Sequence, residues 1–335
     1  MDVLCIGEAL IDFVSRERGK TLISAAQYTA ATGGAPANVA AGLAKLGRDA
    51  RMVATVGDDT FGRKIAHDLA EVGVDCAFRY DAEHFTTLAF VKQGTGGDRD
   101  FEFASGAHDY LLPEQVQAGD VQSAQVLHFG SISFRSAVSR ETTLKAIHLA
   151  REAGVVCSCD PNWRADLWED ANAGRSAMLE AVGHADILKI SDADLVFLCP
   201  ECAEEEEDFS EALGKIGFQG RLAAVTLGPA GAWYRAGDRM GKVSAPRILV
   251  VVETTGSGDA FAATLLDSLM THGLDIASIP DDTLRTLVQR ACAAGALTAT
   301  GYGAIPSLPT PEDIDAMLRM VGTNEGSGGG NGDDV

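Results

Sequence analysis

The stretch Ile248–Leu266, ILVVVETTGSGDAFAATLL, joins two different apolar patterns through a glycine-rich turn. Its first five residues, Ile248–Val252, are mostly β-branched and predict a buried strand. After the turn, Phe261, Leu265 and Leu269 recur every four residues and predict one face of a helix. The first backbone N–H groups of such a helix lack partners inside it, and they attract anions. The stretch therefore predicts a strand, an anion-binding turn and a helix.

The turn combines small residues with one acid. Gly256 and Gly258 allow a tight backbone, and Ser257 or Thr255 is expected to cap the helix. Asp259 falls in the first helical turn, where the positive end of the helix dipole favours a negative charge. For an isolated aspartate, this favourable interaction with the helix dipole is a sufficient explanation. The same dipole should keep Asp259 ionised, which predicts that it is a weak base before any reaction.

Length and charge exclude several classes of protein. The 335 residues are enough for one large α/β domain or two smaller ones. A net charge of −21 argues against nucleic acid as a partner, because phosphate backbones require a basic surface. No apolar run is long enough to span a membrane, and the amino terminus lacks the basic segment and cleavage site of an export signal. A cytoplasmic protein without a membrane partner is expected.

The cysteines are scattered along the chain. Seven is an odd number, and over so long a chain it predicts reduced thiols and argues against a disulfide framework. A zinc site would require the two close pairs, Cys157 with Cys159 and Cys199 with Cys202, to converge. No metal is expected at these residues.

Strand-like and helix-like runs alternate along the chain, beginning with VLCIG, NVAAGLAKLG, ARMVATVG and FGRKIAHDLAEVG. This alternation predicts a mostly parallel sheet with helices on both faces. Two segments break the pattern: residues 13–32 and 84–104 look like short strands, the second a hairpin that turns at Gly94–Gly97. These strands are expected to form a lid over the crevice at the carboxyl ends of the main strands.

Two polar segments are predicted to lie outside the core. The acidic run Glu201–Asp208, ECAEEEED, is typical of a solvated surface turn. Residues 321–335 are expected to form a disordered tail, because they end in the polar sequence TNEGSGGGNGDDV. The folded domain is therefore expected to span residues 1–320.

Two longer motifs resemble the signatures of one enzyme family. GGAPANVAAGLAKLG (Gly33–Gly47) is similar to the first signature of the PfkB, or ribokinase-like, carbohydrate kinases, and ETTGSGDAF (Glu253–Phe261) is similar to the second. GEALIDF, HFGSIS, and DPNWR with a following LW look most like the bacterial fructokinases of that family. The resemblance spans most of the chain. It implies an ATP-dependent sugar kinase with a ribokinase-like α/β fold, a doubly wound, mostly parallel sheet and a small β lid.

The resemblance assigns the turn of the opening stretch to catalysis. Asp259 matches the family's catalytic base, which accepts the proton of the sugar's primary hydroxyl as that hydroxyl attacks the γ-phosphate of ATP. Gly256, Ser257 and Gly258 match the anion hole that holds the developing charge. This agrees with the local prediction of an anion-binding turn, because phosphoryl transfer depends mainly on positioning and electrostatic stabilisation.

Further positions match ligand contacts of the family. The sugar-binding positions that the resemblance implies are Asp12, Gly33, Gly34, Asn38, Phe101, Phe103 and Arg164. Arg164 could instead form a structural ion pair, and the two phenylalanines could simply pack within the lid. The implied nucleotide-binding positions are Lys189, Ser191, Thr226, Gly228 and Gly231. Magnesium should accompany ATP, held mainly by phosphate oxygens and water.

Many members of the family also use a monovalent cation such as K⁺. The resemblance places that cation near Glu253, Thr255, Gly303 and Ser307. Two departures from the family pattern bear on the metals. Glu253 stands where the family usually has aspartate, and the usual Asn-x-x-Glu element, which is linked to magnesium and phosphate, reads SDAD at Ser191–Asp194. The first departure leaves the monovalent-cation site undecided, and the second leaves the magnesium affinity undecided.

The expected reaction converts fructose and ATP to fructose 6-phosphate. One alternative is a 2-keto-3-deoxygluconate kinase, whose acidic substrate calls for more positive charge than Arg164 supplies. Another is a sugar-binding regulator without catalysis, against which the intact Asp259 argues. The expected partners are a sugar and ATP, and a lid strand that pairs with a second copy would give a homodimer.

Overall fold

The computed structural model describes residues 1–17, 19–93, 99–202 and 208–325. The strands are, in chain order, β1 (Val3–Ile6), β2 (Leu10–Ser15), β3 (Tyr28–Gly33), β4 (Ala50–Gly57), β5 (Asp75–Asp81), β6 (Leu88–Gln93), β7 (Arg99–Ala104), β8 (Val126–Gly130), β9 (Val156–Asp160), β10 (Ile187–Ser191), β11 (Leu222–Thr226), β12 (Ala232–Ala236) and β13 (Arg239–Val243). The α-helices are α1 (Ala35–Lys45), α2 (Thr60–Glu71), α3 (Ala118–Ser123), α4 (Ala137–Ala153), α5 (Ala171–Val182), α6 (Asp192–Leu198), α7 (Ser210–Lys215), α8 (Ser257–Thr271), α9 (Asp281–Thr298), α10 (Ala304–Ser307) and α11 (Pro311–Glu325).

The larger sheet has nine strands in the order β13-β12-β11-β10-β9-β8-β1-β4-β5. Its strands run parallel from β5 to β11, and β12 and β13 form an antiparallel edge. From β1 the chain first adds β4 and β5 on one side of the sheet and then adds β8 to β13 on the other side. Because parallel crossovers are right-handed, this reversal of direction places the connecting helices on both faces. The predicted doubly wound, mostly parallel sheet is confirmed.

The two faces of this sheet are covered by two apolar cores. On β1, Val3 and Cys5 belong to the core that contains α1, α8 and α9, whereas Leu4 and Ile6 belong to the core that contains α4 and α5. All four side chains are almost completely buried. A strand buried on both faces has no polar side to show, and for that reason VLCI is an unbroken apolar run.

A second sheet has four strands in the order β3-β2-β6-β7. β6 and β7 lie within the predicted lid segment 84–104, and β3 lies within one residue of the predicted segment 13–32, whereas β2 begins at Leu10, before that segment. β2 pairs with β3 in antiparallel fashion and with β6 in parallel fashion, and β6 and β7 are antiparallel. The hairpin turn predicted at Gly94–Gly97 lies outside the described residues.

The strand predicted at Ile248–Val252 is wrong. This segment has no regular secondary structure, and Leu249, Val250 and Val251 are exposed. Val252 donates its backbone N–H to the carbonyl of Ala299, which lies just beyond α9. A β-branched run suits a pleated, half-buried surface, so its propensity has no effect where no such surface receives it.

The prediction of reduced thiols is wrong for one pair of cysteines. Cys199 and Cys202 form a disulfide, with their Cα atoms 5.4 Å apart across a short turn that follows α6. Such a separation lies within the ordinary range for disulfides. The remaining five cysteines are free thiols, and among the described residues no group of three or more histidine, cysteine or acidic side chains could hold a metal ion.

The last helix is longer than the composition suggested. α11 continues to Glu325, so residues 321–325 are helical where the sequence predicted the start of a disordered tail. Residues 326–335 and most of the acidic run, residues 203–207, lie outside the described part of the chain. Over the described residues, no helix combines the length and the apolar character needed to cross a membrane.

Candidate active site

The candidate site lies where the carboxyl ends of the parallel strands face the amino ends of two helices. Asp259 belongs to the first turn of α8, which begins at Ser257. β9 ends at Asp160 and the neighbouring β10 ends at Ser191. The carboxyl ends of parallel strands share one edge of a sheet, where ligands bind in open α/β folds. The chemically interesting motifs therefore converge on this edge.

The turn before α8 is held by backbone geometry. Gly256 is the N-cap residue with φ 81°, and a Cβ added there would lie 2.7 Å from the Cβ of Ala304. The predicted side-chain cap is absent: the hydroxyl of Thr255 donates to Glu253, and the buried hydroxyl of Ser257 has no hydrogen-bond partner among the described residues. An uncapped helix start keeps its N–H groups available to an anion.

Asp259 is held by a side chain from the first signature motif. The amide Nδ2 of Asn38 donates to Oδ2 of Asp259 at 2.8 Å, a contact between residues 221 positions apart. The contact is possible because α1 packs closely on α8, where a Cβ added to Gly42 would lie 2.7 Å from the Cβ of Ala263. The carbonyl Oδ1 of Asn38 is buried and has no partner among the described residues. Asn38 therefore orients the acid and keeps one oxygen for a ligand.

The environment of Asp259 makes it a stronger base than the helix dipole suggested. Burial, together with the negative charge of Asp160, raises the pKa of Asp259 to about 6. The hydrogen bond from Asn38 and the positive charges of Lys189 and Arg164 act in the opposite direction and do not cancel the effect of burial. The expectation of a weak base is therefore corrected, because a buried carboxylate loses more hydration than these groups return.

A buried ion pair lies against the anion-binding turn. Nζ of Lys189 on β10 lies 2.8 Å from Oδ2 of Asp160 on β9, and both side chains are buried. Burial lowers the pKa of Lys189, but the charge and hydrogen bond of Asp160, together with the charges of Asp194 and Asp259, outweigh burial; the net shift of the pKa is upward and the lysine remains charged. A Cβ added to Gly258 would lie 2.8 Å from this Nζ. Lys189 therefore brings a fixed positive charge to the turn.

The expected sugar-binding residues meet at the start of α1. Gly33 ends β3, and a Cβ added there would overlap the carboxylate of Asp12 on β2. Gly34 follows with φ 101° as the N-cap residue of α1. Asp12 and Phe103 lie in the same row of paired residues across the second sheet. The side chain of Phe101 lies outside the described residues.

Arg164 and the Ser191–Asp194 element lie together beside this site. The guanidinium of Arg164 donates to the carbonyl of Trp163 at 2.7 Å. Burial raises the pKa of both Asp259 and Asp194, and the charge of Arg164 offsets a small part of that rise. Ser191 caps α6 by accepting from the backbone N–H of Asp194, and Oδ1 of Asp194 accepts from the N–H of Trp163 at 3.2 Å. The shortened carboxylate thus helps to hold the loop that carries Arg164.

The predicted nucleotide loop joins β11 to β12. Thr226 ends β11 and its hydroxyl faces the carbonyl of Ile190 at 3.5 Å, which ties the loop to β10. Gly228 has φ 54° and open space around it. Gly231 has φ 105°, and a Cβ there would overlap the backbone of Val243 on β13. Gly231 is thus required by the fold, whereas Gly228 leaves room for a ligand.

Of the four residues predicted to bind a monovalent cation, Glu253, Thr255 and Gly303 lie in loops and Ser307 ends α10. Glu253 accepts from the hydroxyl of Thr255 and, through Oε2, from the N–H of Gly303 at 3.0 Å. Ser307 donates to the carbonyl of Tyr302 at 3.1 Å. The longer glutamate side chain therefore reaches two protein donors in the loops where the family usually has aspartate. A cavity of about 860 Å³, whose lining includes Glu253 and Gly303, adjoins this region.

The sequence analysis assigned no function to two residues of the site, Asp160 and Glu8. Asp160 and Glu8 were visible only as letters of the motifs DPNWR and GEALIDF. Both acids follow a buried apolar run at the carboxyl end of a strand of the larger sheet, β9 and β1 respectively. An acid in such a place is buried at the ligand-binding edge, and that signal could have identified both.

Comparisons with known proteins agree with this geometry. Residues 1–311 match the family described as pfkB family carbohydrate kinase. The chain belongs to this family. It is a carbohydrate kinase, and the ribokinase-like fold expected from its motifs is confirmed by similar structures.

Fructokinases are among the similar proteins. Fructokinase-1 of Oryza sativa subsp. japonica is 39% identical over 323 residues, covering 95% of this chain and 98% of its own. The fructokinase of Xylella fastidiosa with bound ATP has a TM-score of 0.84 at 27% identity, covering 96% of this chain and 99% of its own. A double mutant of the Vibrio cholerae O395 fructokinase, bound to fructose, ADP and potassium, has a TM-score of 0.80 at 30% identity, covering 95% and 98%.

Proposed function

We propose that this carbohydrate kinase is a fructokinase that transfers the γ-phosphate of ATP to the primary hydroxyl of fructose and makes fructose 6-phosphate. The observation that carries the proposal is the buried Asp259, oriented by Asn38 at the head of α8 with the charge of Lys189 beside it. The names of the rice, Xylella and Vibrio relatives support fructose as the substrate and ATP as the donor.

In the proposed reaction Asp259 is the base. Above a pH of about 6 its carboxyl group is ionised, and Asn38 binds Oδ2 and leaves Oδ1 for the sugar hydroxyl. As the hydroxyl oxygen bonds to the γ-phosphorus, the bond from that phosphorus to the bridging oxygen breaks and releases ADP. The hydroxyl proton passes to Asp259.

The charge on the transferred group is stabilised by fixed positive groups. The amino end of α8 is uncapped, and Lys189 lies against Gly258 in the same turn. Both are in place before the reaction, so little reorganisation accompanies the transfer. We assign the sugar to Asp12, Gly33, Gly34 and Asn38, and the nucleotide to the loop that contains Gly228.

Metal ions fit the donors of this site. Oδ1 of Asp160 and the hydroxyl of Ser257 are buried oxygens without a hydrogen-bond partner among the described residues, and hard cations favour such donors. Magnesium bound with ATP would neutralise phosphate charge. We also propose a monovalent cation in the loops of Glu253 and Gly303, which the potassium in the Vibrio structure supports.

The test is release of ADP from Mg-ATP with fructose, 2-keto-3-deoxygluconate, ribose, glucose and adenosine, each alone and with or without potassium. Turnover with fructose and little with the others supports the proposal, and a gain with potassium supports the cation site. Turnover with 2-keto-3-deoxygluconate in place of fructose would reassign the substrate. Sugar binding without any turnover would make the chain a sugar-binding regulator.

Two further expectations remain predictions. The cytoplasmic location is checked by fractionation of cells that produce the protein. The homodimer rests on the lid, in which β3 is an edge strand of the second sheet and offers its outer edge for pairing. Analytical ultracentrifugation at micromolar concentration tests it.

A further inference from the structure

Glu8 is a buried acid at the carboxyl end of β1. Only 3% of its surface is exposed. Oε1 accepts a hydrogen bond from the backbone N–H of Ala35 at 3.0 Å, whereas Oε2 is buried and has no partner among the described residues. Burying a carboxyl group costs free energy, so a buried glutamate is expected to make an interaction that offsets this cost.

The bond from Ala35 caps a helix that has no cap of its own. Ala35 is the first residue of α1, and the preceding residue, Gly34, is a glycine that makes no side-chain cap. Gly34 also cannot be replaced by a capping residue, because it has φ 101° and an added Cβ would lie 2.5 Å from the carbonyl oxygen of Glu8. Glu8 therefore supplies from β1 the acceptor that serine or aspartate usually supplies at the N-cap.

The capped end of α1 carries the residue that orients the base. Asn38 lies in the first turn of α1, its N–H donates to the carbonyl of Gly34 at 2.8 Å, and its side chain donates to Asp259 at 2.8 Å. A displacement of the first turn would therefore move the amide away from the base. Misplacement of a reacting group by about 1 Å can lower a rate by about 100-fold.

The carboxyl group of Glu8 is only partly ionised near neutral pH. Burial, with a smaller contribution from the negative charge of Asp259, raises the pKa of Glu8 to about 7, although the backbone hydrogen bond from Ala35 and the charge of Arg164 act in the opposite direction. A neutral group of the same shape should therefore replace the carboxyl group well, provided that it keeps an oxygen acceptor for Ala35.

We propose, building on the kinase function proposed above, that Glu8 is a positioning residue: it fixes the first turn of α1 through Ala35 and thereby holds Asn38 against Asp259. Glu8 itself does not touch the reacting atoms. Its contribution is to kcat, and the KM for the sugar depends on it less.

The test compares E8A, which removes the acceptor, with E8Q, which keeps it. D170A is the matched control, because Asp170 accepts from Asn172 and Ala173 at the start of α5, and its loss also uncaps a helix. The chain has only five asparagines, so selective ¹⁵N-asparagine labelling gives a simple NMR spectrum, and N38A identifies the side-chain signal of Asn38. Steady-state kinetics with fructose and Mg-ATP are measured on the same samples.

The proposal predicts that E8A moves the Asn38 side-chain signal and lowers kcat about 10- to 100-fold, with KM for fructose changed less than about threefold. E8Q and D170A should keep both the signal and kcat near those of the wild type. An unmoved Asn38 signal in E8A, or a kcat loss in D170A equal to that in E8A, would overturn the proposal. If the wild type turns over no fructose, the proposed function fails, yet the Asn38 signal still decides the role of Glu8.

Discussion

At the scale of single residues, opposing effects act on the carboxyl group of Asp259. Burial and the charge of Asp160 raise its pKa to about 6, while Asn38, Lys189 and Arg164 favour the ionised form. A base near this pKa is mostly ionised at neutral pH and still accepts a proton readily. We therefore expect kcat/KM to fall as the pH drops through about 6, because protonated Asp259 cannot accept the hydroxyl proton.

Lys189 should both place a positive charge beside the anion-binding turn and lower the pKa of Asp259. In K189M the positive charge beside Gly258 is lost, so kcat should fall by roughly 100-fold, the usual cost of removing one stabilising group from an anion hole. The pKa of Asp259 should rise, which moves the acid limb of the pH profile to higher pH. K215M, in the exposed pair with Glu211, should leave both unchanged. An unmoved acid limb in K189M would contradict the assigned position of the charge.

At the scale of elements, the turn before α8 depends on one glycine. Gly256 has φ 81° and faces Ala304, so G256A combines an unfavourable backbone conformation with a steric clash. Gly154 has φ 74° with no atom within 4 Å of an added Cβ, so G154A carries the backbone cost alone. We expect G154A to lose about 1 kcal/mol of unfolding free energy and G256A clearly more. Urea unfolding measures both losses, and equal losses would mean that the turn tolerates a side chain.

Apolar spacing predicted α1 and α8 well, since Val39, Leu43, Phe261 and Leu265 are all buried on their helices. The strand predicted at Ile248–Val252 failed because the segment pairs into neither of the two described sheets, and propensity alone carries no information about neighbours. The cap expected from Ser257 or Thr255 failed because the N-cap position is occupied by Gly256, which has no side chain.

The Asp160–Lys189 pair could not be derived from spacing, because the two residues lie on different strands, 29 positions apart. Asp160 belonged to the quoted motif DPNWR and Lys189 was an implied nucleotide-binding position, but only the parallel pairing of β9 with β10 brings them together. The same limit applies to Glu8, whose role depends on the packing of β1 against the start of α1. Motifs therefore predicted the site, and the tertiary structure supplied its charge arrangement.

At the scale of the whole molecule, the doubly wound sheet was predictable because strand and helix patterns alternate from the amino terminus onward. The two sheets also followed from the two segments that interrupt this alternation. The Cys199–Cys202 disulfide did not follow, because the odd number of cysteines was interpreted for the chain as a whole and not for one local turn.

Buried histidines should make the fold sensitive to acid. Burial lowers the pKa of His108 and His128 from 6.5 to about 4, so the native protein favours their neutral forms. Their stabilising contribution is complete above pH about 6.5 and is lost as the pH falls toward 4, by roughly 2 kcal/mol for each histidine between pH 8 and 5. The loss of unfolding free energy over this range should be smaller by that amount in H128Q, and unchanged in the exposed control H148Q. Identical pH dependence in H128Q and the wild type would contradict the buried, neutral state.

The most direct measurement is the turnover of D259N with fructose and Mg-ATP beside its binding of fructose by calorimetry. Asparagine keeps the size of Asp259 and its contact with Asn38 but cannot accept the hydroxyl proton. We predict that kcat falls by about 100- to 10,000-fold while the dissociation constant for fructose changes by less than about threefold. Turnover within a few-fold of the wild type would contradict the assignment of Asp259 as the base.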